Sequence, residues 1–153
     1  MAERASTGFV DGANEIGVKA MMINGIIAGY SGTQPADADD AETGTLLILF
    51  TKNGGAFTPG VSTNGISMGT SVGGVLPKAS AENWSGLGLA NGVLGYFRWY
   101  SNAMVTGAST TSPRHDGAVG NTSSYEMEAV TGKTITIGVP ATLSVFNYTY
   151  PKV

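Results

Sequence analysis

The chain predicts an all-β protein, an antiparallel β-sandwich or barrel of jelly-roll-like type with one short N-terminal helix or arm. Three observations carry this. Short apolar or alternating runs recur along the chain, turn dipeptides separate them at hairpin-like spacing, and the one segment with helical periodicity lies near the start.

In chain order, the first ten residues read as an arm. Residues 11–27 (DGANEIGVKAMMINGII) follow, with Ile16, Met22, Ile23 and Ile26 forming one stripe near the 3.6 period. Asp11 or Asn14 is a candidate cap, and Asn24-Gly25 a stop, because glycine accepts the left-handed conformation that ends helices. Thr45–Lys52 (TLLILFTK) is a continuous apolar run that fits a strand covered on both faces. Asn53-Gly54-Gly55, Asn64-Gly65, Gly73-Gly74 and Asn91-Gly92 punctuate the middle. Leu94–Tyr100 (LGYFRWY) alternates, with Phe97 and Trp99 on one side and Tyr96, Arg98 and Tyr100 on the other. Residues 101–121, rich in Ser, Thr, Gly and Pro, read as a long loop. Thr134–Val139 (TITIGV) and Thr142–Tyr150 (TLSVFNYTY) read as two strands, with Pro140 marking a bend or an edge. The expected organisation is an arm and short helix over residues 1–28 and a single β domain over 29–153.

Composition narrows the function. Charged residues make up 12% of the chain, against about 25% in typical globular domains. Glycine accounts for 23 of the 153 residues, and Ser and Thr add 30 more. A chain with so few charges either covers its surface with small polar residues or hides it against neighbours, and the second choice suggests a subunit of an assembly. The net charge of −3 argues against nucleic acid as the main partner. No run approaches the length of a membrane span, and no secretory signal is visible, so a soluble protein made in a cytoplasm is expected.

Reactive constellations are sparse. There is no cysteine, hence no disulfide, thiolate metal site or cysteine nucleophile. His115 is the single histidine; it lies in TSPRHDG, beside Asp116, without a nucleophile elbow, and reads as a surface loop residue. Four of the 11 acids (Asp37, Asp39, Asp40, Glu42) crowd into ADADDAE just before the apolar run. Their spacing does not fit an EF-hand, although a looser calcium site stays open, and a glycosidase-type carboxylate pair is weakly supported. The simplest reading is a solvated connection, opened by Pro35, whose charges protect an aggregation-prone strand. The glycines of SGLGLANG miss the phosphate-binding patterns. Three glycosylation sequons (Asn83, Asn121, Asn147) read as chance matches. Trp84, Tyr96, Phe97, Trp99 and Tyr100 form either a sugar-stacking platform or, as the favoured reading, a core (Phe97, Trp99) with an interface (Tyr96, Arg98, Tyr100). No enzyme and no cofactor is expected.

Two stretches, IIAGYSGTQPADADDAETGTLL (26–47) and LPKASAENWSGLGLANGVLGYFRWY (76–100), together resemble small structural proteins encoded in the head-gene region of tailed bacteriophages. The resemblance spans roughly residues 15–100. It implies an all-β, often trimeric capsid decoration (cement) protein on the virion surface, with the major capsid protein and its own copies as partners. Phe9, Ile16, Met22, Ile26, Tyr96, Arg98 and Tyr100 are the expected contact residues. A carbohydrate-binding module at a tail tip, using Trp84 and exposed tyrosines, is the alternative, followed by a tail-tube or connector subunit.

Overall fold

The computed structural model describes residues 3–9, 13, 17–120 and 132–149, and the backbone of 127–129. The strands are β1 (Arg4–Ala5), β2 (Ile26–Ser31), β3 (Leu46–Lys52), β4 (Val75–Pro77), β5 (Trp84–Leu87), β6 (Gly92–Tyr100), β7 (Arg114–Gly120), β8 (Met127–Ala129), β9 (Thr134–Ile135) and β10 (Pro140–Thr149); a single-turn helix, α1, spans Val18–Met21. The pairings run β7–β8–β10–β5–β3–β2–β6, and β6 pairs again with β7, so the curled sheet closes on itself as a barrel. All these pairs are antiparallel except β7–β8. The all-β expectation therefore holds.

The interior is aromatic and aliphatic. Phe97 and Trp99 of β6, Ile27 of β2, Phe50 of β3, Trp84 of β5, and Leu143, Phe146 and Tyr148 of β10 pack there. Phe146 stands edge-on to both Phe97 and Trp99, at centroid distances of 5.3 and 5.4 Å, an arrangement favoured by the ring quadrupoles. A side chain on Gly29 would collide with Leu94 and Ile48, so the β2–β3–β6 contact depends on its missing Cβ. The turns follow the dipeptides: Asn53-Gly54 and Gly73-Gly74 all take positive φ, as mirror-image hairpin turns require.

The N-terminal region departs from expectation. Among the described residues, helical backbone occurs at residues 7–9, at Ala13 and over α1, rather than as one helix through residues 11–27. Gly17, at φ 82°, cannot continue a right-handed helix, and Ile26–Ile27 are taken by β2, both of whose faces are buried. The boundary expected at residue 28 thus falls inside a central strand. The left-handed stop residue is Asn24 (φ 57°) rather than Gly25. Asp11, Asn14 and Ile16 lie outside the described residues. Residues 101–121 are not one loop, because β7 begins at Arg114. Thr134–Val139 keeps strand form only over β9, and Pro140 opens β10.

Candidate functional site

The strand β6 is buried on both faces. Its inner side chains join the core, while Tyr96 and Tyr100 on the outer side join Ile26, Ala28 and Tyr30 in a second cluster. Two loops, 32–45 and 101–113, hold this outer face by polar contacts to the strands. Arg98 is central: Nε and Nη2 donate to the two carboxylate oxygens of Asp116 at 2.6 and 2.8 Å, and Nη1 donates to Glu42 Oε1 and to the Asp40 carbonyl, both at 3.0 Å. The register makes this possible, since Arg98 sits directly opposite Asp116 on β7.

Arg114, also fully buried, donates to the backbone carbonyls of Asp39, Gly107 and Ser109, thereby pinning both loops. Glu42 accepts from the Tyr100 hydroxyl at 2.6 Å and from the Gly107 amide at 2.9 Å. Tyr100 shares a hydrogen bond of 2.9 Å with Tyr30. The Tyr96 hydroxyl both donates to and accepts from the Thr43 backbone.

Electrostatically this is a neutralised cluster, two guanidinium groups against two carboxylates. Burial opposes the charge on Arg98, but the Asp116 hydrogen bonds and charge outweigh it and raise its pKa. Burial also holds Asp116 above the usual carboxylate range, with Arg98 opposing the shift; the bidentate contact keeps this pair ionised at neutral pH. Burial pushes Glu42 up, yet the Tyr100 and Gly107 hydrogen bonds and Arg98 bring it below the ordinary value.

This geometry corrects the expected contact surface. Phe9, Met22, Ile26, Tyr96, Arg98 and Tyr100 are all buried within the protomer. Satisfying β6's outer polar groups requires loops from the same chain, which leaves those groups nothing to offer a neighbour. Trp84 is likewise buried, with Lys78 Nζ 5.5 Å from its ring centroid and Phe146 beside it, so the sugar-stacking platform loses its rings. His115 is not a surface loop residue but an inward-facing one on β7. The acidic stretch is more than a solvated connection. Glu42 and the Asp39 and Asp40 carbonyls bind the arginines, and the Asp39 carboxylate accepts from Thr7. Among the described residues no group of three or more His, Asp or Glu side chains is placed to hold a metal ion.

The exposed feature that the sequence reading missed is apolar. Leu87 at the end of β5, Leu89, Val93 at the start of β6, and Ile137 and Val139 before β10 are large exposed aliphatics at one end of the barrel. Backbone contacts fasten these segments together: Gly88 N–H donates to the Val139 carbonyl, Gly138 N–H to the Gly88 carbonyl, and Gly92 pairs with Ile135. Beside them a groove is lined by Leu49, Phe57, Leu87, Leu89 and Met104. The signal was available, since residues 83–97 and 134–151 contain no charged side chain and no histidine.

Comparison with family models, with curated proteins and with solved structures finds no match for this chain.

Proposed function

We propose that the protein is a structural subunit of a tailed-phage virion, in the role of a capsid decoration protein that stabilises the head at junctions between shell subunits. The observation that carries this reading is the apolar barrel end. Ile137 is 60% exposed and Val93 58%, in segments without charge. Several exposed aliphatics on segments that are hydrogen-bonded to one another suit an interaction site better than singly scattered ones would. The barrel behind it supports the same reading. The contact segments are braced by backbone bonds from Gly88 to Gly138 and Val139 and by the β6–β9 pairing, so a partner meets a preorganised surface and little ordering entropy is lost on binding. The expected contacts accordingly move from β6 to Leu87, Leu89, Val93, Ile137 and Val139. The role is mechanical, because burying that end against the shell adds association free energy that opposes rupture.

The test is addition of purified protein to shells that lack it, followed by heat-rupture measurements. Decorated shells should rupture at a higher temperature, and a Val93→Lys/Ile137→Lys protein should neither bind nor protect. Rings or tubes of the protein alone under the electron microscope, with no affinity for shells, would instead favour a tail-tube or connector subunit.

A further inference from the structure

We propose that residues 3–9 form an acid-released latch: protonation of His115, the imidazole they cover, lifts the arm from the barrel and opens the aromatic socket beneath it. This is independent of the apolar end.

The arm is fastened by a few contacts. Arg4 and Ala5 pair with Asp116 and His115. Ser6 is fully buried; its N–H donates to the Arg114 carbonyl, its hydroxyl donates to the Ser112 carbonyl and accepts from the Arg114 N–H. Thr7 donates twice to Asp39. Phe9 then enters the core against Trp99, His115 and Tyr148, at centroid distances of 6.5, 5.4 and 5.8 Å. A segment held by a two-residue ladder and a handful of bonds opens at lower free energy than the barrel strands.

His115 is the anomaly under this arm. It faces inward, opposite Trp99 across the β6–β7 ladder. Among the described residues neither ring nitrogen has a hydrogen-bond partner, which is costly for a buried polar group. Among the described residues the titratable and charged groups around it come from the arm, β6, β7 and β10. From the arm, a Glu3 carboxylate oxygen lies 3.8 Å from Nε2, too far for a hydrogen bond but within ion-pair range of a charged ring, so it opposes release without cancelling the burial cost, and Arg4 is paired at the next position along β7. From β10, Tyr148 meets the ring edge-on at 5.2 Å. From β6, Phe97 and Trp99 offer no charge. Arg114 and Asp116, adjacent in sequence, belong to the cluster on the opposite face of β7.

Burial alone drives the imidazole down from 6.5 to about 4. The sign follows. The closed arm favours the neutral ring, while a water-exposed ring takes up a proton at its ordinary value. Closure is therefore fully favoured above the free value of 6.5 and weakens as pH falls from there toward 4. With those two values the open-to-closed ratio rises about 30-fold between mild alkali and about pH 5.

Hydrogen exchange of the intact protein, corrected for the intrinsic rate at each pH, tests this. The Ser6 and Phe9 amides should lose protection by about 30-fold at about pH 5 while the β2 and β6 amides keep theirs. His115→Phe retains the ring contacts and should abolish the response. Glu3→Gln, which removes the nearby carboxylate, should retain it. The proposal is overturned if wild-type protection of the arm is unchanged at that pH, if His115→Phe responds like the wild type, if Glu3→Gln loses the response, or if arm and barrel amides open together. Should His115→Phe not fold, the Glu3→Gln and arm-versus-barrel comparisons decide the matter by themselves.

Discussion

On one face β6 presents Phe97 and Trp99 to an apolar interior; on the other it presents Tyr96, Arg98 and Tyr100 to a neutralised charge cluster. Both faces are fully buried, yet they depend on different physics. The inner face is held by contact and by removal of apolar area from water, so its loss scales with volume deleted. The outer face is held by a set of groups each satisfied by the others, so removing one member strands the rest. The same strand should therefore degrade gradually under inner substitutions and abruptly under outer ones.

The largest expected effect comes from Arg98→Met. It leaves the fully buried Asp116 without its bidentate partner and Glu42 without its nearest guanidinium. Removing one partner of a buried pair costs about 3–5 kcal/mol, a large fraction of the roughly 5–15 kcal/mol by which ordinary proteins are stable. Chemical denaturation measures it. Arg98→Met/Asp116→Leu should recover much of the loss, since replacing both partners with apolar groups is often neutral or better. If the double variant were as unstable as the single one, the cost would lie in packing, and the contrast between the faces would fail.

The intermediate effect belongs to the inner face. Phe97→Leu deletes part of a ring packed edge-on against Phe146 and should cost about 1–2 kcal/mol. No partner substitution should restore it unless that substitution refills the space. A loss equal to that of Arg98→Met would show that the interior is no more forgiving than the cluster.

How much of this the sequence disclosed follows the same division. The alternation of LGYFRWY separated the two faces of β6 correctly, because a strand's period of two is local. That the outer face would be buried was not legible. It depends on loops 32–45 and 101–113 folding over it, and on Asp116 coming opposite Arg98, both set by pairings distant in sequence. Low charge and the aromatic-arginine pattern therefore suggested an interface where the protein has built an internal one. His115 was misplaced for a similar reason: TSPRHDG has the composition of a turn, and only the β6–β7 register makes its second half a strand. The apolar barrel end had a local signature in two charge-free stretches. The aromatics within them were more conspicuous than the leucines, valines and isoleucine that prove to be exposed.

The smallest effect probes the rim of the cluster. Tyr30 stacks on Tyr96 at 5.2 Å with the rings nearly parallel, and its hydroxyl meets that of Tyr100. Burial raises the Tyr30 phenol from 10.0 to about 12; the Tyr100 hydrogen bond opposes the rise and the Glu42 charge adds to it. Burial and the Glu42 hydrogen bond likewise raise Tyr100. A phenol whose folded value lies above its unfolded one stabilises the fold fully below the unfolded value. That stability is lost as pH climbs from about 10 through 12, since the unfolded chain ionises first. Tyr30→Phe keeps the stack and deletes one hydroxyl pair. At neutral pH it should lower stability by about 1 kcal/mol, or the melting temperature by about 2–4 °C for a chain of this length. At about pH 11 the gap to wild type should narrow, because the variant no longer carries a phenol that ionises on unfolding. Thermal scans at both pH values, with tyrosinate absorbance followed in parallel, measure the narrowing. A gap that stayed constant would mean that the Tyr30 phenol is not held above its unfolded value, and no gap at either pH would mean that Tyr30 contributes through stacking alone and lies outside the cooperative cluster that Arg98 anchors.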